Sequence, residues 1–454
     1  MTDSTQADLI VAADTVLTME PGDAPRSDTA VAVVGDRILS VGPARELHRE
    51  HPDAEVIGGP GHLALPGLVN AHQHLTGDRL IRSMIPDDLE PGAAVFAWAV
   101  PAHAAHTPDD DELSATLSLI EGVCNGITFT VEAGTVAHPD RVLAGFDRVG
   151  VGGTLGSWGW DVEGQPWAGS VDEVLARQRE LQRLTNDHPR VDAWVTLVGH
   201  DLMSDELVVA ASDLARATDT RLTFHLSPTR SDTESYVART GSPPVVHLDR
   251  LGALGPHVVI AHGVHLDDAE VGALLAGDTA LVYCPAAYLR LGQGVTRAGR
   301  HIEFVERGGR LALGCDAENA GDAIDLLRVA ALTAGLAKDT TLDPTRFGAS
   351  DALYHATLGG ARALGLDHEL GSLTAGKRAD IVLVDTSGPE WVPRSPDPVL
   401  QLVWASDGRS VRHVVASGRV VVRDGEPTMV DRAGLADAAQ ERHRRLVRAA
   451  GLGR

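Results

Sequence analysis

The residues of this chain best equipped for chemistry are imidazoles and carboxylates placed where short apolar runs end. LPGLVNAHQH closes on His72, Gln73 and His74, and VDAWVTLVGH closes on His200. RLTFHLS carries His225, HVVIAHG carries His262, and RLALGCDA ends near Asp316. Residues two apart on a strand point the same way, so His72 and His74 can face one site. Two imidazoles from one strand, a third from another and one carboxylate form a nitrogen and oxygen set suited to zinc or iron. Taken singly each is weak: an HxH arises by chance, a lone strand-end histidine is usually a hydrogen-bonded polar residue, and Asp316 could cap a helix. Their recurrence at successive strand ends gives them weight.

Such side chains converge only if the strands lie side by side, and the alternation of the sequence supplies that frame. Within 1–65, LIVAADTVLTM, TAVAVVGDRILSVG, AEVIGG and GHLALPG alternate with turns, and only PARELHREH reads as helix. This predicts a small antiparallel sheet. Across 66–369 the five runs above and GITFTVEAG, GGTLGSWGW and TALVYCPA alternate with helical stretches. Thr107-Pro108 and Ser204 mark helix starts. The pattern predicts an α/β chain built on a parallel (β/α)8 TIM barrel, whose functional residues sit at the C-terminal strand ends. Within 370–425, RADIVLVDT and SVRHVVASGRVVVRDG are expected to complete the sheet of 1–65, the two segments forming a small β-sandwich. Residues 426–454 read as a C-terminal amphipathic helix.

The bulk properties narrow the function. The 454 residues, 43% hydrophobic and 22% charged, are those of a folded globular protein. Against 39 basic residues stand 63 acidic ones, a net charge of −24, which excludes a nucleic acid or anionic membrane as the expected partner. MTDSTQADLI lacks the features of a signal peptide and no long apolar run follows, so a cytoplasmic location is expected. Cys124, Cys284 and Cys315 are far apart and read as buried structural thiols.

LPGLVNAHQHL resembles the first-strand signature of the amidohydrolase superfamily, and HATLGGARALGLDHELGSLTAGKRADIVLVD resembles its C-terminal segment. AHGVHLDDAEV, YCPAAYLRLGQG and LGCD extend the likeness over nearly the whole chain, nearest to the branch of cytosine, guanine and adenosylhomocysteine deaminases and triazine hydrolases. The resemblance implies that His72, His74, His225 and Asp316 bind metal and that Asp316 also moves protons. It further implies that His262 polarises substrate or orients water, and that His200 lines the substrate pocket. His265 reads as part of the turn after His262. Relatives with two metals bridge them by a carboxylated lysine. The two lysines, Lys338 and Lys377, lie beyond the last catalytic strand, so one divalent ion is expected, zinc first, with iron or manganese as alternatives.

The expected activity is hydrolysis of a non-peptide carbon–nitrogen bond in a small molecule by metal-hydroxide attack on a trigonal carbon. The resembling deaminases carry a glutamate three residues after the third histidine; here Pro228 stands there and can supply no proton. Glu132 is the expected substitute acid, with support of a neighbouring site residue or a salt bridge as its equal alternative; Glu318 is a weaker candidate and Glu234 lies too far along the loop. Trp158, Trp160 and Asp161, with Gln73, Phe96 and Trp98, are expected around the substrate, or partly as loop packing. Arg79 and Arg82 read as carboxylate binders or solvated cations. Amide or amidine hydrolysis in natural-product processing is the alternative activity, and a non-catalytic metal-binding relative the remaining one. A homo-oligomer is expected from the family.

Overall fold

The computed structural model describes residues 6–452. Strand Leu9–Val16 sends alternate residues to opposite sides. Leu9, Val11 and Ala13 join Val31, Val33, Ile57, Ile381 and Leu383, whereas Ile10 and Ala12 pack with Ala30, Ala32 and Leu47 of helix Ala44–Glu50. Arg26–Val34, Arg37–Pro43 and Glu55–Pro66 follow, and Ile381–Asp385 pairs antiparallel with the last of these. Val411–Ala416, Arg419–Arg423 and Glu426–Pro427 extend the same sheet. Both ends of the chain thus share one hydrogen-bonded sheet of eight strands. It is not purely antiparallel, since Leu9–Val16 and Glu55–Pro66 run parallel. Gly58 permits their close approach: a Cβ there would stand 2.4 Å from Ala12 O.

Two parallel sheets follow. Leu68–Gln73, Ile127–Glu132, Gly152–Leu155 and Val191–Ala193 form the first, in that order. Val195–Gly199, Leu222–Leu226, Val258–His262, Ala280–Tyr283 and Leu311–Leu313 form the second. VDAWVTLVGH, expected as one strand, is divided at Trp194 between the two sheets; Trp194 N donates to Leu155 O at 3.0 Å. At the other seam Asp316 N donates to His72 O, and Cys315 N to Asn70 Oδ1, each at 3.0 Å. The result is an α/β fold, TIM-barrel-like in its order of parallel strands and helices. One large core runs through the strands to the inner face of the terminal sheet at Val382, Val384 and Val414.

Helix starts follow the capping logic. Thr107 and Asp110 close a capping box on helix Pro108–Cys124, and Ser204 Oγ accepts Leu207 N at 3.1 Å to open helix Asp205–Ala217. Helix Arg432–Ala449 buries Leu435 and Leu446. Among the described residues no helix is long and apolar enough to cross a membrane.

Candidate metal centre and active site

His72 lies within the first parallel strand and His74 just beyond it, their ring centroids 5.3 Å apart. His225 arrives from Leu222–Leu226 and Asp316 from the turn after Leu311–Leu313. His74 Nε2 lies 3.2 Å from His225 Nε2 and 3.5 Å from Asp316 Oδ1, and His72 Nε2 lies 3.7 Å from that oxygen. Four tetrahedral bonds of about 2.0–2.1 Å set ligand atoms about 3.3 Å apart, which is the scale of these separations.

The hydrogen-bond network assigns the tautomers. His225 Nδ1–H donates to Val198 O at 2.7 Å. His74 Nδ1–H donates to Thr135 Oγ1 at 3.1 Å, and the Thr135 hydroxyl passes on to Glu132 Oε1 at 3.1 Å. Both Nε2 atoms are therefore left with lone pairs that face each other. Burial lowers His74 to about 4 and drives His225 and His72 well down, so no proton bridges the rings at neutral pH. Neither ring nitrogen of His72 has a protein partner. Converging buried lone pairs beside a carboxylate are favourable around a cation and costly without one. These residues fit a divalent metal.

Burial pushes the Asp316 carboxyl up to about 7, against a 2.7 Å hydrogen bond from Ala317 N. Asp316, His262 and His200 have φ of +65°, +78° and +54°, a conformation disfavoured for residues with side chains and concentrated at functional sites. The His262 ring stands 5.3 Å from His72 and 5.4 Å from His225. His200 stacks on His225 at 5.3 Å, and its Nδ1 lies 3.2 Å from Asp232 Oδ1. Asp232 also accepts Ser227 N at 2.8 Å. Asp232 escaped the sequence reading because SPTRSD looks like a helix start, with Thr229 as its cap.

Known proteins place this geometry. The Amidohydrolase family model matches residues 63–421, which include every residue of the centre. The chain belongs to the amidohydrolase family. A short stretch, 30–54, also matches the bacterial imidazolonepropionase-like composite domain. A 5-methylthioadenosine/S-adenosylhomocysteine deaminase of Syntrophobacter fumaroxidans is 31% identical over 421 residues, 93% of this chain and 94% of that one. An adenosine deaminase from Xanthomonas campestris, solved with bound zinc, superposes with a TM-score of 0.91 at 28% identity, covering 97% of this chain and 99% of that one. An atrazine chlorohydrolase from Arthrobacter aurescens, complexed with zinc, shares the fold at a TM-score of 0.86 and 22% identity, over 96% and 100% of the two chains. As an amidohydrolase the chain is an enzyme that hydrolyses carbon–nitrogen bonds, and zinc in its structural neighbours supports a divalent metal.

In this amidohydrolase Pro228 is buried beside Ser227, while Glu234 pairs with Arg230 at 2.8 Å in solvent. Glu132, expected to face the substrate, is fully enclosed. It accepts Gly134 N at 2.6 Å and Thr135 N at 3.2 Å besides the Thr135 hydroxyl, and burial pushes its carboxyl up to about 7. Its contact with the centre runs through Thr135 to His74, so it positions that imidazole rather than facing the centre directly. Glu318 accepts Ser118 Oγ at 2.5 Å, and its other oxygen is buried without a partner.

The other expected pocket residues divide. Gln73 is buried against Asn70, whose Nδ2 donates to Gln73 Oε1 at 3.1 Å. Trp158 stacks on Trp167 at 4.7 Å and meets Trp160 at a tilt, at 5.1 Å. Trp160 has no exposed surface and donates to Pro166 O at 2.8 Å, so it belongs to packing among the loops. Phe96 is 41% exposed and Trp98 half-buried, both in the π-helical turn Val95–Ala99. Asp161 accepts Ser204 N at 3.0 Å beside a shallow cavity of about 580 Å³ lined also by Glu163 and Glu206, away from the histidines. Arg79 and Arg82 both pair with Glu121 and are not free for a substrate carboxylate. His265 Nε2 donates to Gln293 O at 2.8 Å. Lys338 Nζ donates to Arg346 O at 3.3 Å and Lys377 Nζ to Ser372 Oγ at 2.6 Å, both remote from the strand ends.

Proposed function

We propose that this amidohydrolase is a mononuclear, zinc-dependent aminohydrolase acting on a non-peptide carbon–nitrogen bond of a small molecule. The observation that carries the reading is the pair of facing Nε2 lone pairs of His74 and His225, closed in by His72 and Asp316. The scaffold in this reading is a closed (β/α)8 barrel of residues 66–369, a sandwich from 1–65 and 370–425, and a C-terminal helix within 426–454.

His72, His74, His225 and Asp316 hold the ion, which when bound supplies Lewis acidity and a water acidified toward neutral pH. Asp316 takes the proton of the attacking water and returns it to the departing nitrogen. His262 stabilises charge developing on the attacked carbon's substituent. His200, its Nδ1 held by Asp232, orients the substrate against the His225 side of the centre.

Pro228 sets the substrate range. It offers no proton to a ring nitrogen, so cytosine, guanine and adenosine analogues fall outside the activity, even though relatives of this chain are adenosine-type deaminases. The same proline favours the second reading, hydrolysis of an amide or amidine in natural-product processing, where attack needs no ring protonation. The test is a screen of zinc-loaded enzyme against amidines, lactams, ureides and aminoheterocycles, reading ammonia release and mass change together. Turnover confined to these classes is expected; efficient turnover of adenosine, guanine or cytosine overturns the role given to Pro228.

A further inference from the structure

More donors meet at this centre than one tetrahedral ion can use. After His72, His74, His225 and Asp316 are assigned, His262 and Cys284 remain. With Asp316 they form a further group whose ligand atoms all lie within 4.8 Å of one another. The three come from Val258–His262, Ala280–Tyr283 and Leu311–Leu313, or just beyond them, and these strands are neighbours in one sheet. All three side chains are buried, and His262 Nδ1 has no hydrogen-bond partner.

Both added donors are held in place. His301 Nε2 donates to His262 O at 2.6 Å, and Tyr288 meets the His262 ring edge-on at 5.7 Å. Cys284 N donates to the Tyr288 hydroxyl at 2.9 Å, and its sulfur lies so close to Gly314 that a Cβ there would stand 2.9 Å away. Asp316 has two carboxylate oxygens, and carboxylates bridge paired ions about 3.5–4 Å apart.

We propose a second, weaker cation position formed by His262, Cys284 and Asp316, selective for thiophilic ions such as zinc and cadmium. It rests on the four-ligand centre being a metal site. Three protein donors make it the weaker of the two, and its sulfur sets its preference for soft ions. Occupancy forms a metal–sulfur bond and releases the Cys284 proton to solvent, with no change of oxidation state. The second ion engages Asp316 and His262, the groups given proton transfer and charge stabilisation, so excess zinc inhibits the enzyme.

The test is titration of the full-length, metal-free protein with cobalt(II), read by bound metal and by near-ultraviolet absorption. The first equivalent is expected to bind without thiolate-to-cobalt charge transfer, and the second to bring that band. Cys284→Ser is expected to stop at one equivalent with the band lost. Saturation of the wild type at one equivalent, charge transfer with the first ion, or an unchanged spectrum in Cys284→Ser overturns the second position. The wild-type spectrum decides the matter even if the variant does not fold. Binding of no cobalt at all overturns the four-ligand centre as well, which separates the two failures.

Discussion

In the proposed mechanism Asp316 is both ligand and base, so its burial sets the pH at which the centre would bind metal. Burial pushes its carboxyl up to about 7, lowers His74 to about 4 and drives His72 and His225 well below the usual imidazole value. Near neutrality the imidazoles are already unprotonated, and the proton competing with metal is that of Asp316. Zinc affinity is therefore expected to rise about tenfold per pH unit up to about 7 and to level off above. Competition against a chelator across pH checks this, and a flat wild-type profile contradicts it. Asp316→Asn should abolish the slope and lower turnover about 10²–10⁴-fold. At the same scale, Asp232→Asn should lower kcat/KM about tenfold or more with zinc content unchanged, because His200 loses its anchor. Unchanged kinetics would remove Asp232 from the site. The sequence exposed His72, His74, His225, His262 and Asp316 because strand ends are legible from alternation. It did not expose Asp232, which approaches from a helix turn, and it read Cys284, at the end of the TALVYCPA run, as a structural thiol.

At the scale of elements, the turn after strand Ile127–Glu132 folds over its own carboxylate. Gly134 N, Thr135 N and the Thr135 hydroxyl all point at Glu132, and Thr135 in turn carries His74. Glu132→Gln replaces one acceptor oxygen by an amide that confronts these N–H groups. Zinc affinity should fall about 10–100-fold, the usual cost of losing a ligand's support, with activity restored by excess zinc short of the inhibitory second equivalent. Unaltered affinity would return Glu132 to the list of candidate proton donors. The sequence placed Glu132 correctly at a strand end but could not say that its own turn consumes both oxygens. The arginines posed the same difficulty: only the fold brings Glu121 to Arg79 and Arg82.

The whole molecule carries buried carboxyls that oppose its folding at high pH. Glu318 is buried with one unpartnered oxygen, and burial pushes it from 4.5 up to about 7. Between those values the folded state holds a proton that the unfolded chain has lost, so stability falls as pH rises through that window and stays reduced above it. Glu318→Gln removes this ionisation. Its melting temperature should exceed that of the wild type at pH 8, with little difference at pH 4.5; equal gains at both would contradict the assignment. The order of parallel strands was legible at this scale, because each unit is local in sequence. The joining of the two terminal segments was legible as well, from the strand texture of RADIVLVDT and SVRHVVASGRVVVRDG; its register, with Ile381 against Pro66, was not, because the pairing spans the whole length of the barrel segment.

The central claim is that His72, His74, His225 and Asp316 hold a catalytic metal. Metal analysis of the dialysed wild type beside His225→Ala tests it most directly. About one tightly held equivalent of zinc, iron or manganese is expected per wild-type chain, and a large loss in the variant. Less than about half an equivalent in the wild type, unrestored by reconstitution, would contradict the account.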